Sequence, residues 1–315
     1  RGGGGADVKG QANGVHAANA NKSNGLQPPT AKATVISSEQ HFRKSLTPSP
    51  PSAKSTGIPL LRGKGVCTAC ALLSKTRVSP TSYVMRFKLP TSNHVLGLPT
   101  GNHLMLSAII DNERVCTPYT PIHGDERKGF MELLIKVYPN GCMTSHLDRL
   151  KVGDTIDVWG PKGHFEYFKN GRLSIHKGST RRVKRIGFVV GGTGITPAFQ
   201  VIRAVLQDAD DPTECWLLYA NTSEEEVLLR SELDKLQSEH PQRFKRWYTI
   251  GGKDRPPGWG FSQGRVNDWM MSVFLPPPSP DTIICVCGPD GFVSDTCLPL
   301  LTDAIGHNED NVVVL

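Results

Sequence analysis

The stretch best suited to chemistry is Gly191-Gly192-Thr193-Gly194-Ile195-Thr196-Pro197. The apolar run Phe188-Val189-Val190 precedes it, as at the end of a buried parallel strand, and Phe199, Ile202 and Leu206 follow at helical spacing. Glycines allow a sharp turn whose N–H groups no side chain covers. Bare amides at a helix N-terminus attract phosphate. Thr196 is expected to cap the helix, with Pro197 in its first position, where an N–H would have no partner. A glycine-rich turn also arises for packing reasons alone, so its meaning depends on its surroundings. The eight cysteines show no disulfide framework: Cys67-x-x-Cys70 is metal-like, but no second pair stands at zinc spacing. All eight are expected to be reduced thiols of a cytoplasmic protein, with no metal site.

Positioning these groups takes two kinds of architecture. From about Leu60 to Leu173, short candidate strands alternate with turns: Cys67–Leu73, Tyr83–Leu89, His103–Ile110, Cys116–Pro121, Met131–Tyr138, Thr155–Trp159 and Arg172–His176. Many short strands around one short helix, near Met143–Leu150, indicate an antiparallel barrel or sandwich. From Val183 onward strands alternate with helices, the further strands being Glu214–Asn221, Phe244–Ile250, Thr282–Cys287 and Asn311–Leu315. Ser223 followed by Glu226 reads as a capping box for a helix carrying Leu228, Leu229 and Leu233 to about Glu239. Such alternation implies a doubly wound parallel sheet, which binds ligands beyond the carboxyl ends of its strands. The glycine turn lies at such an end.

The expectation is a two-domain chain: an antiparallel β-barrel over residues 59–177, then an α/β doubly wound parallel sheet over 178–315. Residues 1–58 are rich in Gly, Ala, Asn, Ser and Pro and cannot bury enough apolar surface to offset their ordering entropy, so a flexible linker or tail is expected. Residues 1–60 hold seven Lys/Arg against two acids, so +5 of the formal +7 lies there. The remainder is nearly balanced and has no basic stripe with interleaved aromatics, which argues against nucleic acid. No apolar run approaches the ~20 residues of a bilayer-spanning helix. A start at Arg1 rather than Met, followed by a linker, suggests a fragment with something attached upstream.

Six motifs then stand in order: Thr117-Pro-Tyr-Thr-Pro121, Ile135-Lys-Val-Tyr138, Gly141-Cys-Met-Thr144, Gly160-Pro-Lys-Gly163, Gly191-Gly-Thr-Gly-Ile-Thr-Pro197 and Cys287-Gly-Pro289. On these, Gly65 to Leu315 resembles the ferredoxin–NADP reductase superfamily, in its cytochrome b5 reductase and nitrate reductase branch. Leu98-Pro-Thr-Gly-Asn-His103, Arg181-Arg-Val-Lys-Arg185, Gln200-Val-Ile-Arg-Ala-Val205 and Asp211-Pro-Thr-Glu-Cys215 are most similar to fungal-type nitrate reductases.

The resemblance implies FAD in the barrel and NADH or NADPH on the sheet. It places Tyr119 against the flavin ring, Thr120 near the hydride-accepting nitrogen, and Lys136 beside flavin and nicotinamide. Thr117, Pro118 and Leu134 join the flavin site, and Cys142, Met143 and Thr144 open a helix facing the FAD pyrophosphate. Gly191, Gly192, Thr193, Gly194, Gly288 and Pro289 fall to the pyridine nucleotide, with Thr196 at the junction and Cys287 near the nicotinamide. Thr120, Lys136 and Cys287 form the implied catalytic set. Cys287 need not be a nucleophile, because hydride passes between cofactors that the protein only orients. The implied function is transfer of hydride from NAD(P)H to FAD and of single electrons to a b5-type haem, as the C-terminal module of a nitrate reductase. Haem and molybdenum cofactor would then lie in an upstream part. One alternative is a cytochrome b5 reductase acting on a separate haem protein; another is a degenerate, non-enzymatic nucleotide-binding module.

The chain departs from the family pattern at several points. Thr117 stands where the family usually has an arginine paired to the FAD pyrophosphate, and Arg114, three positions away on a strand, starts on the opposite face. Only Pro139 and Asn140 separate Tyr138 from Gly141, where relatives often insert several residues. Asp290-Gly-Phe292 replaces a common Pro-Pro-Met, and the last residue is Leu315 in place of Phe. Gly251 replaces the Asp of NADH-specific relatives, with Lys253 and Arg255 nearby, which should admit NADPH. Loss of a charge-assisted contact at Thr117 should weaken FAD retention. Flavin occupancy after extensive dilution is therefore expected to fall, and to recover in Thr117→Arg; full occupancy in both proteins would contradict the expectation.

Overall fold

The computed structural model of this protein describes residues 57–176, 178–252 and 255–315. The tail expected over 1–58 lies outside these residues except for its last two, and Lys253 lies outside them as well. In chain order the strands of the first half are β1 (Ile58–Pro59), β2 (Gly63–Arg77), β3 (Ser82–Lys88), β4 (His94–Val95), β5 (His103–Ile110), β6 (Glu113–Tyr119), β7 (Phe130–Lys136) and β8 (Thr155–Lys162). Helix α1 (Cys142–Arg149) stands between the last two. Six of these strands form one antiparallel sheet in the order β6-β5-β8-β2-β3-β7. It curls into a half-barrel, because Pro121, just past β6, bridges Leu133 of β7, and Ile122 N–H donates to Glu132 O at 3.1 Å.

β7 is buried along nearly its whole length, and its side chains divide between two cores. Met131, Leu133 and Ile135 pack inside the half-barrel with Met85 and Phe87, whereas Leu134 joins the core of the second domain. Successive side chains of a strand point to opposite faces. Lys136 shares the parity of Leu134 and so faces the second domain.

β9 (Phe165–Lys169), β10 (Arg172–Ile175) and β11 (Ser179–Arg182) make a small antiparallel sheet between the two halves. Then follow β12 (Arg185–Gly191), α2 (Ile195–Gln207), β13 (Glu214–Asn221), α3 (Arg230–Glu239), β14 (Phe244–Ile250), β15 (Ser262–Gln263), α4 (Asp268–Phe274), β16 (Thr282–Cys287) and β17 (Val312–Val314). Their six strands run parallel in the order β15-β14-β13-β12-β16-β17. α2 covers one face through Phe199, Ile202 and Val205, and α4 with the helical stretch 290–304 covers the other through Met270, Met271 and Leu301. Strand order reverses beside β12, and at such a switch point the loops of neighbouring strands part and leave a crevice.

Two local expectations are corrected. Thr196 does not cap α2: a tight turn over Gly192–Gly194 precedes the helix, Gly194 is the capping residue, and the Thr196 hydroxyl donates to Thr193 O at 3.1 Å from within the first helical turn. Ser223 and Glu226 do not form a capping box. A single tight turn covers Glu224–Glu226, Leu229 adopts a left-handed φ of 56°, and α3 starts only at Arg230.

Gly194 is demanded by packing. A Cβ there would stand 2.3 Å from the Cys287 carbonyl oxygen and 2.9 Å from the Gly288 nitrogen, both backbone atoms. Overpacking of this kind costs roughly 1–3 kcal/mol, so Gly194→Ala should lower the melting temperature by several degrees. Gly260→Ala, whose Cβ would enter open space, should leave it unchanged.

Candidate active site

The carboxyl ends of β12 and β16 face the half-barrel across a cleft of about 650 Å³. From the half-barrel, Thr117, Pro118, Tyr119, Thr120, Leu134, Lys136 and Thr144 line it; from the parallel sheet come Gly191, Thr193, Gly194, Thr196, Cys287, Gly288 and Pro289. A second cavity of about 730 Å³ opens over the sheet and takes Gly192, Gly251, Asn221 and Arg265. The two share Lys136, Tyr138, Gly191 and Pro289, so they are halves of one continuous site. Of the residues expected at the site, two side chains stay out of both cavities: Met143 is buried in the half-barrel core and Cys142 is exposed. Arg114 is exposed and lines neither cavity.

The chemistry of the lining follows from burial. The Tyr119 hydroxyl is buried without a partner among the described residues. Burial, with Tyr138 nearby, pushes it above the usual phenol range, so it is a neutral donor awaiting an acceptor. Thr120 is buried at its side. An orphaned hydroxyl, an aromatic face and threonine side chains around a roomy cleft fit a polyhydroxylated ligand with a flat ring. Across the cleft, the close approach of Gly194 to Cys287 and Gly288 leaves backbone rather than side chains at the surface, which suits a phosphate-bearing ligand.

Lys136 does not hang free. Its Nζ donates to Glu226 Oε2 at 3.0 Å, and the same carboxylate accepts from Thr81 Oγ1 at 3.0 Å and Ser79 Oγ at 3.2 Å. Glu226 is 5% exposed. Burial alone would raise its carboxyl, but the Lys136 and Thr81 donors outweigh that and hold it below the usual range. Cys287 places Sγ 3.7 Å from Leu315 O, and burial pushes its thiol up to about 11.

Sequence reasoning missed His103, Tyr138, Asn221, Arg265 and Glu226. His103 lines the cleft, with burial lowering its imidazole and His164 and Lys162 adding to the effect. Asn221 had a legible signal, since it ends β13 beside the switch point. Arg265 had none. Arg255 is drawn away: its guanidinium donates to Trp259 O at 3.0 and 2.7 Å.

Comparison with known proteins agrees with this geometry. The family described as Oxidoreductase FAD-binding domain matches residues 69–167, and Oxidoreductase NAD-binding domain matches residues 188–298. NADH-cytochrome b5 reductase 3 of Rattus norvegicus is 43% identical over 253 residues, covering 76% of this chain and 83% of the relative. NADH-cytochrome b5 reductase 1 of Homo sapiens is 42% identical, covering 76% and 82%. Among solved structures, the cytochrome b5 reductase domain of Ulva prolifera nitrate reductase superposes with a TM-score of 0.76 at 36% identity, over 82% of this chain and all of that one.

A thiol near pH 11 is about one-thousandth ionised at pH 8, and the thiolate is the reactive form. Cys287 should therefore alkylate with iodoacetamide long after the exposed Cys67, Cys116 and Cys142. Its rate should climb steadily through pH 10, as followed by peptide mass spectrometry.

Proposed function

Since this chain belongs to the NADH-cytochrome b5 reductase family of FAD- and NAD-binding oxidoreductases, we propose that its physiological acceptor is a b5-type haem reached from the continuous two-part cleft. The enzyme is an FAD-dependent NADH oxidoreductase. When bound, FAD supplies the chemistry: it accepts a hydride from NADH and releases electrons one at a time. The protein orients the two ligands. Tyr119 and Thr120 would hold the flavin from the half-barrel, with the Tyr119 hydroxyl gaining its missing acceptor. The backbone at Gly191–Gly194 and Gly288 would take the pyridine nucleotide, and Lys136, common to both cavities, stands where the two ligands meet. That sharing is the observation that carries the reading.

Likeness to a nitrate reductase domain favours a haem carried in the same polypeptide. Identity to cytochrome b5 reductases supports a second reading, in which the haem belongs to a separate protein. Among the described residues no helix is long and apolar enough to cross a membrane.

Coenzyme choice turns on the second cavity. Gly251 supplies no acid there, and a Cβ at that position would meet only Asn221 O, at 3.8 Å, so the space is open. Arg265 is exposed at the same cavity. With no acid at position 251 and Arg265 at the rim, a 2′-phosphate should be tolerated, Asp295 being the acid this cavity retains. Purified protein should be yellow and should bleach anaerobically with NADH, and oxidised cytochrome b5 should restore the colour; absence of bleaching would overturn the reading. NADPH should serve within roughly tenfold of NADH in kcat/KM, a gap of ~1.4 kcal/mol. Arg265→Ala should raise KM for NADPH several-fold with NADH unaffected.

A further inference from the structure

Glu226 belongs to the coenzyme-binding domain, on the turn between β13 and α3. Among the described residues the donors to its carboxylate come from the other domain: Lys136 ends β7, and Ser79 and Thr81 lie in the turn between β2 and β3. Glu226 lines neither cavity, whereas Lys136 lines both. The carboxylate thus stands behind the ammonium and meets ligands only through it. A lysine side chain has four flexible carbon–carbon bonds and holds one position poorly unless its head is tied. Here the tie is nearly dry, with side-chain exposures of 15% and 6%, so the charges act on each other with little screening.

We propose that Glu226 is a positioning residue for hydride transfer. It fixes the Lys136 ammonium at the junction of the two cavities and, through Ser79 and Thr81, keeps the coenzyme-binding domain in register with the half-barrel. It also neutralises Lys136, so the flavin side of the cleft does not carry a net positive charge. The proposal rests on the two-cofactor reading above.

Glu226→Gln keeps the size and hydrogen-bonding shape but removes the charge. Anaerobic stopped-flow reduction by NADH should slow by roughly tenfold or more, because reacting groups out of register lose rate steeply. Binding of NAD⁺, followed by titration of the flavin spectrum, should not weaken. The flavin midpoint potential should rise, since Lys136 is left uncompensated; a purely structural role would not move it. In a Lys136→Met background, Glu226→Gln should add nothing to either readout. That double variant buries no lone charge, so the comparison stays readable if the single variant folds poorly. Glu226→Asp, which restores the charge, should recover most of the potential. Wild-type rate and potential in Glu226→Gln, or additive losses in the double variant, would overturn the proposal. Failure of the wild-type protein to bleach with NADH would instead overturn the reading beneath it.

Discussion

An ionised group taken out of water costs several kcal/mol unless it is paired. The buried Glu132 pairs with Arg86 inside the half-barrel, but three other carboxylates find partners across the line between the domains. Glu226 reaches Lys136. Glu126, after β6, takes Nη2 of Arg203 from α2 at 2.8 Å, while Nη1 of the same guanidinium donates to Ile122 O at 2.9 Å. Asp211, 1% exposed before β13, accepts from the Tyr167 hydroxyl of β9. Gln200 of α2 adds a neutral link, accepting from Gly101 N–H at 2.7 Å. Separating the halves would strip Glu226 of Lys136 and part Glu126 from Arg203, so their pairing fixes the width of the cleft. A catalyst whose protein part supplies only distance and orientation depends on that width.

The division of β7 between two cores has the same effect from the apolar side. Leu133 and Ile135 commit one face of the strand to the half-barrel, and Leu134 commits the other to the parallel-sheet domain. A register slip by one residue would exchange the two faces. It would turn Lys136 into the half-barrel interior, away from Glu226, so the hydrophobic pattern of one strand decides where the cleft cation stands.

Much of this was legible from sequence, because alternation of apolar residues and glycine punctuation follow directly from backbone geometry. Strands β5, β13, β14 and β16 fall at the expected residues, and most of the expected cleft side chains converge. The failures have a shared cause: spacing rules that presume a regular helix. Ser223 and Glu226 have capping-box spacing, but the left-handed Leu229 delays α3, and Glu226 instead pairs with Lys136 of the half-barrel. Thr196 was misplaced by the tight turn at Gly192–Gly194. Met143 shows a further limit. A helix facing the cleft still turns its apolar residues into the core, so membership of a motif did not specify which side chain would line the site. Glu226 and Arg265 take positions that only tertiary contacts disclose.

The glycine turn bears on how related chains should be judged. Gly192 has a φ of +55°, and Gly194 is pressed against the backbone of the neighbouring strand's end. Both requirements are met by the protein's own atoms before any ligand arrives. Selection for a folded sheet would therefore preserve this fingerprint in a descendant that had lost its coenzyme. The more diagnostic marks of lost activity are groups that folding does not demand, such as the exposed Arg265 at the rim and the Tyr119 hydroxyl, which has no partner among the described residues.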